Sequence, residues 1–126
     1  MDEAVGWTNY AQDAQRLSAA LRGSAFLVTV ESRFVLIGQA RVVSDDVSIA
    51  YIQDVLVHPK HQGRGVGKQL MKMVFDRYSH VRQKVRLTDD RPEQLRFYES
   101  LGFTNTRTQT KTPLNAFVLI NDVSLN

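Results

Sequence analysis

The chain has 126 residues, enough for one domain with its own core, and 43% of them are apolar. It contains no cysteine, which excludes a disulfide framework, a thiol nucleophile and thiolate zinc sites. A formal charge of +3 is too mild for the dense basic face of a nucleic-acid binder and suits an anionic ligand instead.

The first residues, Met1 to Gly6, carry acidic groups and no apolar run, so they do not read as a signal peptide. No stretch is long and apolar enough to span a bilayer. The expectation is a soluble, cytoplasmic protein. Tyr10, Ala14, Leu17 and Leu21 recur at helical spacing and predict an amphipathic helix over Thr8 to Arg22. Ala25 to Val30 and Phe34 to Val43 are rich in strand formers and flank the turn Glu31-Ser32-Arg33, which predicts an antiparallel hairpin. After the turn Ser44-Asp45-Asp46, Ser48 to Val57 reads as a third strand that stops at His58-Pro59.

A glycine-rich loop follows. Beyond it Val66, Leu70, Met73, Val74 and Tyr78 mark the apolar face of a helix. Val81 to Thr88 predicts a fourth strand. Pro92 suits the first turn of a further helix, with Leu95, Tyr98 and Leu101 on one side and Gly102 as its stop. Phe103 to Thr108 and Asn115 to Ile120 read as two last strands. The whole is a single α/β domain with a mixed, mostly antiparallel sheet flanked by helices.

The chemistry concentrates at Gln62-Gly63-Arg64-Gly65-Val66-Gly67-Lys68, between a strand and a helix N-terminus. Glycines permit positive φ and close backbone approach, and the first helical N–H groups and the helix dipole favour negative charge. Arg64 and Lys68 add cationic side chains. A nucleoside-triphosphate loop would need glycine where Gln62 stands and Ser or Thr where Gln69 stands. A dinucleotide fingerprint would need glycine where Lys68 stands. Neither fits.

The pattern Gln62-x-x-Gly65-x-Gly67 resembles the acetyl-CoA pyrophosphate motif of the GNAT superfamily of N-acetyltransferases. Its setting is similar too, with Val55-Leu56-Val57-His58-Pro59 before the loop and Leu70-Met71 after it. Downstream, Phe97-Tyr98-Glu99-Ser100-Leu101-Gly102-Phe103 resembles the family's Tyr-x-x-x-Gly-Phe element. Val5-Gly6-Trp7-Thr8 is similar to the start of the second helix in one bacterial branch.

The resemblance implies an acetyl-CoA-dependent transferase acting on a primary amine of a small molecule or peptide. It implies that backbone N–H groups of Gln62, Gly63, Arg64, Gly65, Val66, Gly67 and Lys68 hold the pyrophosphate. The pantetheine arm would pair with the strand end at Leu56 and Val57, and an N–H near Leu56 would polarise the thioester carbonyl. Tyr98 would protonate the leaving thiolate. Asp54 is the candidate general base. Alternatively it binds a cationic acceptor, sits on a wet face, or is held by backbone N–H groups. Gln53 could hold a water. Asp89 and Asp90 could line the cleft or cap the helix that starts at Pro92.

His58 and His61 lack a third ligand nearby, so no metal is expected. The chain begins near the family's second helix, and the missing first strand and helix would expose an edge that favours a homodimer. Arg91 stands where the family often has asparagine and could meet a phosphate or point to water, and Gln94 replaces a common small residue. An acyl-CoA-binding module or partner subunit without turnover is the competing reading.

Overall fold

The computed structural model describes residues 23–108, 111 and 113–121, and the predicted helix over Thr8 to Arg22 lies outside them. Among the described residues the elements are β1 (Phe26–Ser32), β2 (Val35–Ser44), β3 (Ile49–Val57), α1 (Val66–Arg77), β4 (Gln83–Arg86) and α2 (Pro92–Ser100), with a short 3-10 turn at Pro59–His61. The sheet order is β1-β2-β3-β4. The first two pairings are antiparallel and β3–β4 is parallel, as a crossover through α1 requires. The mixed sheet expected from the sequence is therefore present.

The hairpin β1–β2 turns at Arg33 and Phe34, both at positive φ (51° and 67°), the mirror-image turn whose twist matches that of paired strands. The next turn is built on Asp45. Its Oδ1 accepts backbone N–H groups from Val47, Ser48 and Ile49 at 3.0, 2.8 and 3.1 Å, and its Oδ2 accepts the Ser48 hydroxyl at 2.5 Å.

The core lies between the sheet and α1, where Val66, Leu70, Met71 and Val74 pack on Ala40, Val42, Ala50, Ile52, Val55 and Val57. The β3 contributors change parity, from Ala50 and Ile52 to Val55 and Val57. A bulge explains this: Arg41 pairs with Asp54 and Val42 with Ile52, so Gln53 is an extra residue. Period-2 alternation is reset there, and apolar residues on both sides of the bulge reach the same core. Gly38 is required by close approach: a Cβ there would sit 2.6 Å from Val66 Cγ1 and 3.2 Å from Leu70 Cδ1.

The last two predicted strands do not form. At Phe103 to Thr108 the backbone turns instead: Asn105 Oδ1 accepts the Arg107 N–H at 3.0 Å, and the Asn105 carbonyl accepts the Thr108 N–H at 3.1 Å. A side chain that bonds its own backbone competes with a ladder in this way. Residues 115–120 make no ladder, and Phe117 and Leu119 are 92% and 90% exposed. Their apolar run satisfies a strand's composition but pairs with no strand among the described residues. The fourth strand is also shorter than the predicted Val81 to Thr88, because parallel pairing with β3 ends at Ile52–Arg86.

Candidate functional site

Where β4 stops, β3 continues from Gln53 to Val57 with only β2 beside it among the described residues. The two parallel strands thus open into a wedge. The His58 N–H bonds the Ile37 carbonyl at 2.7 Å. Antiparallel alternation then sends the Leu56 N–H to β2 as well and turns the N–H groups of Val55 and Val57 toward the wedge. The Leu56 N–H thus lies in the β2–β3 ladder, and the N–H of Val57 beside it faces the wedge. The Leu56 side chain is buried, as is that of Val57.

The loop after β3 is fixed at both ends. Gln62 Nε2 donates to the Val57 carbonyl at 3.2 Å, and His58 Nδ1 accepts the Lys60 N–H at 3.1 Å. Gly63 and Gly65 have φ of 78° and 81°, a left-handed conformation that other residues enter only with strain. Open space surrounds both α-carbons. Gly65 is the N-cap of α1 and supplies no side-chain cap. The first helical bond runs from the Gln69 N–H to the Gly65 carbonyl. The N–H groups of Val66, Gly67 and Lys68 therefore precede the helical ladder and point out of the helix end. Val66 and Gly67 are buried while Arg64 and Lys68 are exposed. This loop offers oriented donors and two cations to an anion beside the wedge.

On the opposite wall of the wedge stands Tyr98, 6% exposed on α2. Its ring is packed edge-on against Phe97 and Phe103, with centroids 5.0 and 5.6 Å away. Arg86, the last residue of β4, donates from Nε to the Tyr98 hydroxyl at 2.8 Å and from Nη1 to the Gln53 carbonyl at 2.8 Å. A guanidinium has no acceptor, so the hydroxyl accepts in this bond and its own hydrogen is directed elsewhere. Arg86 ties the bulge to the tyrosine. The sequence reading did not single it out, and the available signal was an arginine inside the apolar run Val85-Arg86-Leu87.

Asp54 lies in a different environment. Its Oδ2 accepts from Arg41 Nε at 2.7 Å, with the two side chains only 7% and 9% exposed. Asp54 does not sit on a wet face: it is 5% exposed, and a cross-strand cation balances it. Arg41 too was missed, because its pairing depends on the register of two strands. Asp89 accepts from Arg91 Nε at 2.7 Å and from the Arg91 N–H at 3.2 Å, just before α2, and Asp90 accepts from Arg107 at 3.1 Å. Arg91, the N-cap of α2, thus meets a carboxylate. Gln53 gives its carbonyl to Arg86 and marks the bulge. His58 and His61 stack edge to face at 5.7 Å. His80 bonds Asp46 on the surface, and Val5 to Thr8 lies outside the described residues.

A mixed sheet that splays beside an uncapped helix N-terminus defines the α/β class of this fold. The model of the acetyltransferase (GNAT) domain matches residues 22–105, and the chain belongs to this family. An N-acetyltransferase ycf52-like protein of Prochlorococcus marinus is 36% identical over 108 residues, covering 81% of this chain and 58% of the relative. The chain spans less than two thirds of the length of the curated relatives it matches. A GNAT family acetyltransferase from Streptococcus pneumoniae superposes with a TM-score of 0.76 at 26% identity, covering 86% of this chain and 80% of that one. A GNAT family acetyltransferase from Elizabethkingia anophelis, solved with acetyl-CoA bound, has the same fold at a TM-score of 0.63 and 23% identity, covering 74% of this chain and 62% of that one.

Proposed function

We propose that this chain transfers an acetyl group from acetyl-CoA to a primary amine. The observation that carries the reading is the juxtaposition of the uncapped N-terminus of α1 with the open edge of β3. The first supplies donors for a pyrophosphate, and the second supplies backbone groups for an extended amide-bearing arm. Family membership and the acetyl-CoA bound to the Elizabethkingia protein support the choice of carrier. The residues fit it: Gly63 and Gly65 keep the loop bare, and Arg64 and Lys68 flank it. Bound acetyl-CoA supplies an activated thioester.

In this reading the donors from Gln62 to Lys68 hold the diphosphate. Leu56 and Val57 flank the arm with buried side chains, and an N–H on the open edge of β3 polarises the carbonyl. Tyr98, oriented by Arg86, gives its proton to the departing thiolate. Asp54 serves first as the counter-ion of Arg41. A role as base would require it to release that partner, and a role in binding a cationic acceptor would set the acceptor against Arg41.

The acceptor is a small-molecule or peptide amine. We also place the protein in the cytoplasm and infer a homodimer, which light scattering on the purified chain tests. Among the described residues no helix is long and apolar enough to cross a membrane. The direct test of function is acetyl-CoA-dependent release of free thiol across a panel of primary amines. Amine-stimulated release supports transfer. Acetyl-CoA binding with no stimulation by any amine favours an acyl-CoA-binding subunit.

A further inference from the structure

The bulge at Gln53 gives β3 one residue more than the ladder can pair. The carbonyl of that residue accepts from Arg86 Nη1 at 2.8 Å, and the Ile52 carbonyl lies 3.4 Å from the same nitrogen. Arg86 is also the last residue of β4 to pair with β3. Its guanidinium is thus anchored where the two strands part, and the planar fork gives Nε a fixed direction. Nε meets the Tyr98 hydroxyl at 2.8 Å, and Cζ lies 5.5 Å from the centroid of that ring.

Both of these acceptors, a carbonyl and a phenol, are neutral, so neither bond cancels the charge of the guanidinium. The bulge carbonyl needs only a neutral donor. The charge has its consequence at the phenol, where a cation that donates to the oxygen favours phenolate over phenol. Burial acts the other way, because Tyr98 is 6% exposed between Phe97 and Phe103 and such surroundings disfavour a bare phenolate. An acid in that position needs a fixed cation to release its proton readily.

We propose that Arg86 is the positioning residue of this acid: anchored on the bulge carbonyl, it fixes the Tyr98 hydroxyl and makes its proton easier to give. The inference rests on the amine-transfer reading above and adds the group that tunes the acid. When the bond from carbonyl carbon to sulfur breaks, the Tyr98 O–H proton passes to sulfur. The phenolate left behind faces Arg86, and the proton released by the acetylated amine restores the phenol. Other charges stand nearby. Asp89, Asp90, Glu99 and Arg107 line a cavity that Tyr98 also borders, with Asp89 paired to Arg91 and Asp90 to Arg107. On the neighbouring strand Asp54 is paired with Arg41. All of them remain when Arg86 is replaced, so a difference between variants reports Arg86.

The first test is a tyrosinate absorbance titration of the apo protein, followed up to the pH of alkaline unfolding. The difference between the wild type and Tyr98→Phe isolates Tyr98 among the four tyrosines. In Arg86→Met, with its own Tyr98→Phe control, Tyr98 should ionise at least about one pH unit higher. Arg86→Lys keeps a cation and should fall between, and it carries the comparison if Arg86→Met does not fold. Steady-state kinetics is the second test. Arg86→Met should lower kcat roughly ten- to hundredfold with little change in KM for acetyl-CoA, and Arg86→Lys should recover part of the loss. In a Tyr98→Phe background Arg86→Met should cost nothing further. Ionisation of Tyr98 at the same pH with and without Arg86, or no ionisation before the wild type unfolds, would overturn the proposal. So would losses that multiply in the double variant, the mark of a purely structural arginine. The titration needs no turnover: a shifted titration in a protein that no amine stimulates sinks the transfer reading, whereas an unshifted one in an active enzyme sinks the role of Arg86 alone.

Discussion

The two walls of the wedge are built on opposite principles. The loop from Gln62 to Lys68 is exposed over Gly63, Arg64 and Gly65, and what it offers a ligand is backbone. The Arg86–Tyr98 wall is half-buried or buried, and what it offers is side chains held by other side chains. A backbone site depends on conformation at a few positions, so it is written as glycine spacing. A side-chain site depends on which strands and helices meet, and its parts lie far apart in sequence.

The contrast predicts that substitutions on the side-chain wall alter turnover with the cofactor still bound. The largest effect is expected for Tyr98→Phe, which removes one oxygen and keeps the ring between Phe97 and Phe103. Steady-state kinetics should show kcat lowered on the order of 10²–10⁴-fold, with acetyl-CoA affinity retained. An unchanged kcat would remove Tyr98 from the chemistry.

Next is Arg41→Met, which leaves Asp54 buried without its cation. Denaturant unfolding should show a loss of about 3–5 kcal/mol, most of it recovered in the double variant with Asp54→Leu. If Asp54→Asn alone abolishes turnover with little loss of stability, its catalytic assignment gains over the bracing one.

Gly38→Ala sharpens the comparison from inside the core. Its Cβ would press on Val66 and Leu70, costing about 1–3 kcal/mol. Because Val66 begins α1, acetyl-CoA affinity should fall along with stability. A drop in stability with unchanged affinity would separate the loop from the sheet behind it.

The smallest effect lies far from both walls. The Ser48 hydroxyl, helped by the N–H groups of Val47, Ser48 and Ile49, holds the Asp45 carboxyl well below the usual carboxylate range. A depressed carboxylate stabilises the fold above its unfolded pKa of about 3.9 and loses that contribution as the pH falls below it. Melting temperatures recorded from pH 6 downward should decline below about pH 4, and Asp45→Asn should decline less.

These elements also show what a sequence can carry. The first three strands, both helices and the loop were legible, because alternation, helical periodicity, Pro92 and the glycines are local signals. The bulge at Gln53 was written as a slip in alternation, yet its meaning required the neighbouring strand. Arg41 with Asp54 and Arg86 with Tyr98 are cross-element pairs, visible only once the register is known. The strands expected after Phe103 failed for a related reason: Asn105 bonds its own backbone, and residues 115–120 have a strand's composition without a partner strand among the described residues.

The central claim is that the glycine loop holds acetyl-CoA, and thermal unfolding of the wild-type chain and of Gly65→Glu, with and without acetyl-CoA, tests it most directly. Gly65 has φ +81° and faces open space, so glutamate there adds strain, bulk and negative charge where the diphosphate would lie. At about a hundred times its dissociation constant the cofactor should add roughly 2.7 kcal/mol to the wild type, a rise of several degrees in melting temperature. The account predicts that rise for the wild type and none for a folded Gly65→Glu. An equal rise in both proteins would place the cofactor elsewhere and contradict it.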